Sequence, residues 1–277
     1  YQKYISRIQP VTLQQVLYSI NRIAIQEGFE DITRIVQDTT VVETNIHYPT
    51  NNSLVWDCIH ENYRILEHLK EVEEGFDFVD YRKGAKKTYF KINNTKVKEK
   101  QHDLFCKQLI LFTKVINQTS NLVKKKCVSL KGMELLLELE SFTDVMFHVW
   151  DVTYRCEIEN EKVPNEDKLF SIYEPHTDII VKGHREVQFG HKVSLTTGAS
   201  NLILDCLILR GNRSDTGLYQ GCLTRIIEQY ECIPDSSAAD GGYASTANHD
   251  FARQQGIMNV VFNKVRGSMQ NQSQSKN

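Results

Sequence analysis

The sequence has few of the features that mark membrane, secreted or strongly basic proteins. No apolar run approaches the roughly 20 residues that a membrane-spanning helix needs, and no signal peptide is visible. The seven cysteines are scattered, odd in number and without a Cys-x-x-Cys pair, which is typical of reduced thiols in a cytosolic protein. The formal net charge is −2, so affinity for nucleic acid must come from local patches. We therefore expect a cytoplasmic protein with no membrane partner.

The length of 277 residues is enough for one large domain or two modest ones. The chain starts at Tyr1 without a methionine and closes on a polar stretch that follows an apparent strand. We expect it to be a fragment of a longer protein, cut at both ends.

Apolar periodicity predicts a mixed α/β protein. Helices are predicted over about 12–28, 53–75, 101–128, 131–160, 215–231 and 245–256. Strands are predicted over 32–46, 169–173, 186–196, 202–210 and 257–262, with a short strand ending at Asp240. This order favours a mixed sheet interrupted by a large helical insertion. The predicted parts are a helical N-terminal segment (1–30), a core (31–52 and 168–264), a helical insertion with a basic stretch (53–167) and a polar, truncated tail (265–277).

Two aspartates stand out as candidate catalytic and metal-binding residues. Asp38 lies in the run Val36–Val42, and Asp240 ends the run Ser236–Asp240. Small, β-branched or apolar residues surround both, as expected where a fold holds a carboxylate rigidly. Two such carboxylates are the minimum for a pair of divalent ions in phosphoryl transfer. The alternative is a strand-edge acid at Asp38 and an ordinary Asp-Gly turn at Asp240.

Basic residues cluster between Arg82 and Lys100, where Glu99 is the only acid. Such a cluster gains affinity for the DNA backbone by releasing counterions, and a solvated basic loop is the alternative. The candidate DNA-binding residues are Lys83, Lys86 and Lys87, together with Lys182 and Lys192, which flank the predicted active face.

Four segments, in order, resemble bacterial insertion-sequence transposases of the DDE type, with an ISNCY-like pattern. Asp38–Thr50 resembles their first catalytic block, and the motifs between Tyr173 and Val193 resemble the block before the second acid. Gly211–Asp215 resembles a Gly-Asn-Pro-x-Asp loop, with Arg213 where proline is usual. Ala239–Tyr243 resembles the second block, often Asp-Arg-Gly-Tyr, with Gly241 in place of the basic residue. The resemblance covers about residues 30–265.

The resemblance implies a ribonuclease H-like fold, with the first acid, Asp38, on the first strand and the second, Asp240, on the fourth. It implies two Mg²⁺ ions, for which Mn²⁺ can substitute, bridged by Asp38 and held by Asp240. The activity would be cleavage and strand transfer of transposon ends, on terminal-repeat and target double-stranded DNA, by a homo-oligomer. A glutamate after the fifth strand should complete the site. Residues 263–277 contain no acid, so we expect this glutamate beyond Asn277 and an inactive fragment.

Two other functions fit the same residues. A metal-dependent nuclease of the same fold would cut DNA without joining it. A catalytically dead remnant would only bind DNA or a partner transposase. Asp215 is expected to cap the helix that follows it, and a part in the active site is the weaker alternative.

Overall fold

A computed structural model describes residues 8–181 and 187–263. The described helices are α1 (Pro10–Gln26), α2 (Asn51–Val72), α3 (Arg82–Asn93), α4 (Lys98–Leu122), α5 (Leu130–Glu157), α6 (Tyr219–Tyr230) and α7 (Thr246–Gln254). The strands are β1 (Arg34–Glu43), β2 (Asp178–Val181), β3 (Val187–Thr197), β4 (Ile203–Ile208), β5 (Ser236–Asp240) and β6 (Asn259–Asn263). Three short 3₁₀ turns accompany them, at Asn165–Asp167, Asp215–Gly217 and Gly241–Tyr243. The prediction of a mixed α/β protein is confirmed.

The chain divides into two compact units. The helical unit is Thr44–Thr177, and the sheet unit contains the described residues before and after it. The expectation set the insertion at 53–167, but the helical unit also includes the segments that lead into and out of its helices. Lys182 lies outside the described residues, as does the predicted polar tail.

All six described strands form one open, mixed sheet in the sheet unit. Its order is β2-β3-β1-β5-β6, and β4 pairs with the second part of the long β3. β3 is antiparallel to β1, β2 and β4, whereas β5 is parallel to both β1 and β6. The sheet therefore has an antiparallel half and a parallel half that meet at β1.

Strand β1 alternates between buried and exposed side chains, as a strand covered on one face does. Ile35, Gln37 and Thr39 are buried, and Asp38 between them is exposed. Helix α6 belongs to the same core, which also includes residues of β4, β5 and α7. The buried residues of α6 are Tyr219, Cys222, Leu223 and Ile226. Burial of one face thus fixes Asp38 on the other.

Helices α2 to α5 bury an apolar core of their own in the helical unit. Thr50 caps the start of α2 with a capping box. Its side chain accepts a hydrogen bond from the Ser53 amide, and the Ser53 side chain accepts one from the Thr50 amide. The basic stretch is mostly helical, since Arg82–Asn93 form α3. Ala85 and Ile92 are its buried residues, and they anchor the helix.

Residues 169–173, where a strand is predicted, do not form a strand in the structure. The Ser171 hydroxyl accepts hydrogen bonds from the amides of Tyr173 (3.2 Å) and Glu174 (3.1 Å). Such local bonds close a turn and compete with strand pairing. The following Pro175 has no amide to donate to a ladder. The next strand, β2, therefore begins only at Asp178.

Helix α1 forms where apolar spacing predicts it, but its apolar stripe is not the side that it buries. Leu13, Val16, Ile20 and Ile23 are all exposed, and Asn21 is its buried residue. The Asn21 amide donates to the Ile203 carbonyl at 2.8 Å and to the Tyr230 hydroxyl at 2.9 Å. Side-chain hydrogen bonds thus help to hold α1 on the sheet unit. Among the described residues, no helix has the length and apolar character to cross a membrane.

Candidate active site

The two predicted acids, Asp38 and Asp240, come together at the junction of β1 and β5. Gln37 pairs with Ala239 in the parallel register, so the next residue along each strand places Asp38 beside Asp240. Both side chains are exposed and line one open cleft of about 580 Å³. Residues far apart in the sequence therefore present two carboxylates side by side.

Backbone amides orient each of these carboxylates. Asp240 Oδ1 accepts from the Gly242 amide at 2.7 Å, in the 3₁₀ turn that follows β5. Asp38 Oδ1 accepts from the adjacent Thr39 amide, also at 2.7 Å. A carboxylate with a fixed amide donor loses rotational freedom, so both groups are partly positioned before any ligand binds.

Asp215 supplies a third carboxylate to the same cleft. It begins a 3₁₀ turn, and no side-chain cap is made to that turn or to α6. The expectation of a helix cap is therefore wrong. Instead, Asp215 Oδ1 accepts from the Thr39 hydroxyl at 3.0 Å and pairs with Lys192 Nζ at 2.6 Å. Asp215, for which an active-site role was the second alternative, thus lines the same cleft as Asp38 and Asp240.

Lys192 is nearly enclosed, since only 5% of its side chain is exposed. Besides the Asp215 carboxylate, its ammonium donates to the Arg213 carbonyl at 2.7 Å. The phosphate contact predicted for Lys192 stays a prediction, and the structure adds a second role for this residue. It neutralises Asp215 and holds the segment that carries Arg213 in place, at the wall of the cleft.

Gly242 leaves room for the carboxylates to approach one another. A Cβ at this position would lie 2.9 Å from Asp215 Oδ2, closer than real Cβ contacts come, and 3.0 Å from Asp240 Oδ1, which is also a tight contact. Any side chain here would displace one or both carboxylates. Steric crowding by the two carboxylates therefore explains why the second glycine of the Asp-Gly-Gly turn has no side chain.

The cleft offers carboxylate oxygens, which are the type of ligand that Mg²⁺ prefers. Mg²⁺ prefers oxygen ligands and is commonly held by one or two carboxylates together with waters and substrate phosphates. Asp38 and Asp240 are such a pair, and the space beside Gly242 is open to their oxygens. Within 8–181 and 187–263, however, no group of three or more His, Cys, Asp or Glu is arranged to hold an ion. The cleft fits a two-carboxylate site that substrate would complete.

Tyr243 lies beneath the cleft and is fully buried. Its burial raises the pKa of the phenol, and the negative charge of Asp215 raises it further. The hydroxyl is therefore neutral across the physiological range. Its ring makes an edge contact with Tyr219, with centroids 6.5 Å apart, and so links the 3₁₀ turn after Asp240 to the core.

Arg213 is a charged residue of the cleft that was not among the candidates predicted from the sequence. Its side chain is exposed and lines the cleft together with both predicted acids. The only sequence signal for it was its departure from the usual proline of the resembling loop.

The predicted basic residues of the helical unit lie on the exposed side of α3. Lys83, Lys86 and Lys87 are all exposed, whereas the neighbouring Arg82 is tied to Asp80 at 2.8 Å and to Glu67. Lys83 lies one turn before the adjacent Lys86 and Lys87, and the three form a basic helical surface, which we call the α3 lysine patch. They are held by a helix, and the alternative of a basic loop is not what this segment forms.

No protein-family model, no curated protein and no solved structure matches this chain.

Proposed function

We propose that this chain is the core of a DDE-type insertion-sequence transposase, which breaks and joins DNA by metal-dependent phosphoryl transfer. The observation that carries the proposal is the meeting of Asp38 and Asp240 on adjacent parallel strands in one open cleft. These are the two residues that the resemblance assigns to catalysis.

The fold that we propose is ribonuclease H-like, with the helical unit as its insertion. Strand order supports this assignment. When the short β2 is counted as an addition to the edge, Asp38 lies on the first strand and Asp240 ends the fourth. The helical unit enters after β1 and returns before β2, so it interrupts the sheet between the two acids.

The roles of the cleft residues follow from their contacts. When bound by Asp38 and Asp240, two Mg²⁺ ions, or Mn²⁺ in their place, supply Lewis-acid chemistry for in-line attack on a phosphodiester. Asp38 and Asp240 would hold the ions, with the Gly242 amide keeping the Asp240 carboxylate in place. Asp215 and Lys192 would hold the surrounding turns. None of the described residues that line the cleft is a glutamate, so the proposed third acid must be supplied from elsewhere.

Double-stranded DNA is the proposed substrate, as transposon ends and as target, with a homo-oligomer assembled on it. The exposed α3 lysine patch supports a DNA partner, because unpaired surface lysines bind phosphates by releasing counterions. A cytoplasmic location belongs to the same proposal.

Metal binding by the two carboxylates is the first test. We expect Mn²⁺ titration followed by electron paramagnetic resonance to show binding by the 277-residue chain. Asp38→Asn and Asp240→Asn should each weaken it about tenfold or more, a loss of at least about 1.4 kcal/mol. Asp250→Asn is the matched control, since this exposed acid on α7 does not line the cleft. Binding that survives both cleft substitutions would refute a two-carboxylate metal site.

A strand-transfer assay separates the enzymes that share this chemistry. Full-length protein, pre-cleaved transposon ends and a supercoiled target plasmid are incubated with Mg²⁺. Joined products indicate a transposase, and nicked plasmid without joining indicates a nuclease. Metal binding with neither product would favour the inert remnant, as would an absence of metal binding.

A further inference from the structure

The segment between β4 and the Asp215 turn, which we call the 210–215 loop, is fixed at three points. The Gly211 amide donates to Asp178 Oδ2 at 2.8 Å, and the Asn212 side-chain amide donates to the Val181 carbonyl at 2.9 Å. The Arg213 carbonyl accepts from the buried Lys192 ammonium at 2.7 Å. Gly211 has a φ of +69°, which lets the chain turn sharply at the start of the loop. The backbone of Arg213 is therefore held, although its side chain is exposed.

The guanidinium of Arg213 has no ion pair or hydrogen bond among the described residues. It nevertheless lines a cleft that contains three carboxylates, those of Asp38, Asp215 and Asp240. The other cation of the cleft, Lys192, is already paired with Asp215. Among the described lining residues, Arg213 is thus the one cation without a carboxylate partner.

A phosphodiester entering this cleft meets a strongly unfavourable field without a cation. Two of the three carboxylates have no positive partner in the described residues, and like charges within a few ångströms repel. Guanidinium binds phosphate with two parallel hydrogen bonds, and this geometry is specific as well as strong. A held backbone with a free guanidinium is suited to that task, because only the side chain, and not the backbone, has to be ordered on binding.

We propose that Arg213 contacts the substrate phosphate at this cleft and is thus a substrate-binding residue of the site. This inference rests on the proposed function for its substrate. Lys192 acts through the loop and is a positioning residue. The Asp215 turn, which follows Arg213, is joined to the turn after Asp240 by a 2.7 Å hydrogen bond from the Thr216 hydroxyl to the Gly242 carbonyl. Arg213 supplies positive charge from the neighbouring segment.

Inorganic phosphate tests the anion site without DNA or metal. In ¹⁵N-labelled protein, the Arg213 Nε–Hε signal should shift in a saturable way as phosphate is added at constant ionic strength. Arg213→Ala removes this signal and should abolish the associated backbone shifts in the 210–215 loop. Arg210→Ala is the matched control, because Arg210 is an exposed arginine three positions away that does not line the cleft. An unmoved Arg213 signal would overturn the inference.

DNA binding tests the same residue with the proposed substrate. A short DNA duplex in EDTA, titrated at several salt concentrations, should bind Arg213→Ala about tenfold more weakly than wild type. The slope of log affinity against log salt should fall by about 0.9, the value for one lost phosphate contact. Arg213→Lys should recover part of the affinity, since it restores charge without the bidentate geometry. Arg210→Ala should match wild type in both affinity and slope.

The outcomes separate this inference from the proposed function. If wild type binds DNA and Mn²⁺ as proposed but Arg213→Ala is unchanged, the Arg213 inference fails alone. If phosphate shifts Arg213 but DNA does not bind, the anion site stands and the transposase proposal fails. Thermal unfolding of Arg213→Ala should equal that of wild type, because its side chain is exposed and only its carbonyl is used in the loop.

Discussion

At the scale of single residues, the candidate site depends on how one buried ammonium is used. Lys192 joins the Asp215 carboxylate to the Arg213 carbonyl, and Asp215 in turn accepts from Thr39, which follows Asp38. One chain of polar contacts thus runs from the first predicted acid to the loop opposite it. Such networks are costly to break, because each partner left behind is buried without compensation.

We expect Lys192→Met to lower the free energy of unfolding by about 2–3 kcal/mol. Breaking a buried ion pair typically costs 3–5 kcal/mol, and the 21% exposure of the Asp215 side chain reduces that cost. Urea denaturation followed by circular dichroism measures the change. The double variant Lys192→Met/Asp215→Asn should recover much of the loss, since it leaves no unpaired charge. If its effect equals the sum of the two single effects, Lys192 and Asp215 are not coupled.

The positions of some cleft residues can be predicted from the sequence, whereas the contacts of others cannot. Asp38 and Asp240 were predictable, because each lies in a short strand-forming run and in a resembling block. The task of Lys192 was not, since burial against Asp215 depends on which segment packs over β3. Asp215 was undervalued for the same reason. A local capping pattern favoured one role, and the tertiary contacts with Thr39 and Lys192 gave it another.

At the scale of elements, periodicity predicts most helices and strands correctly but not which side of them is buried. Helix α1 forms where apolar spacing indicates it, yet it buries Asn21 and exposes its apolar stripe. The predicted strand near Ser171 is lost because local hydrogen bonds to the Ser171 hydroxyl close a turn. In both cases, side-chain hydrogen bonds override an apolar pattern, and spacing alone carries no information about them.

The α3 lysine patch gives a prediction for a whole element. Replacement of Lys83, Lys86 and Lys87 by Gln should weaken binding to a DNA duplex and flatten its salt dependence. Each lysine that contacts a phosphate contributes about 0.9 to the slope of log affinity against log salt. The helix itself should persist, because its anchors Ala85 and Ile92 are unchanged and glutamine is a good helix former.

A charge-matched control makes that measurement specific. Lys107, Lys114 and Lys162 are exposed lysines of the same unit, and their replacement by Gln removes the same total charge. If both triple variants weaken binding equally, general electrostatic attraction accounts for the effect. If the α3 variant keeps the wild-type slope, the α3 lysine patch is no part of the DNA interface.

At the scale of the whole molecule, the helical unit has the properties of an inserted domain. It has its own apolar core, and its two ends meet, since the Thr177 hydroxyl donates to the Thr44 hydroxyl at 3.0 Å. In the sheet unit, the residues on either side of the insertion flank one strand. Glu43 of β1 and Asp178 of β2 both pair with Gly190 of β3. Their backbones are therefore two interstrand spacings apart, or about 9.5 Å.

This geometry predicts that the insertion can be removed. A flexible Gly/Ser linker of about four residues spans about 11 Å, enough to join Glu43 to Asp178. We expect the resulting sheet unit to unfold cooperatively in urea and to bind Mn²⁺ with the affinity of the intact chain, because all described residues that line the cleft belong to it. The fragment 44–177 should fold alone, with a helical circular dichroism spectrum, and should keep the lysine-dependent salt slope for DNA. A sheet unit that folds but no longer binds Mn²⁺ would mean that the helical unit contributes to the metal site. It would contradict the proposal that the sheet unit alone holds the ions.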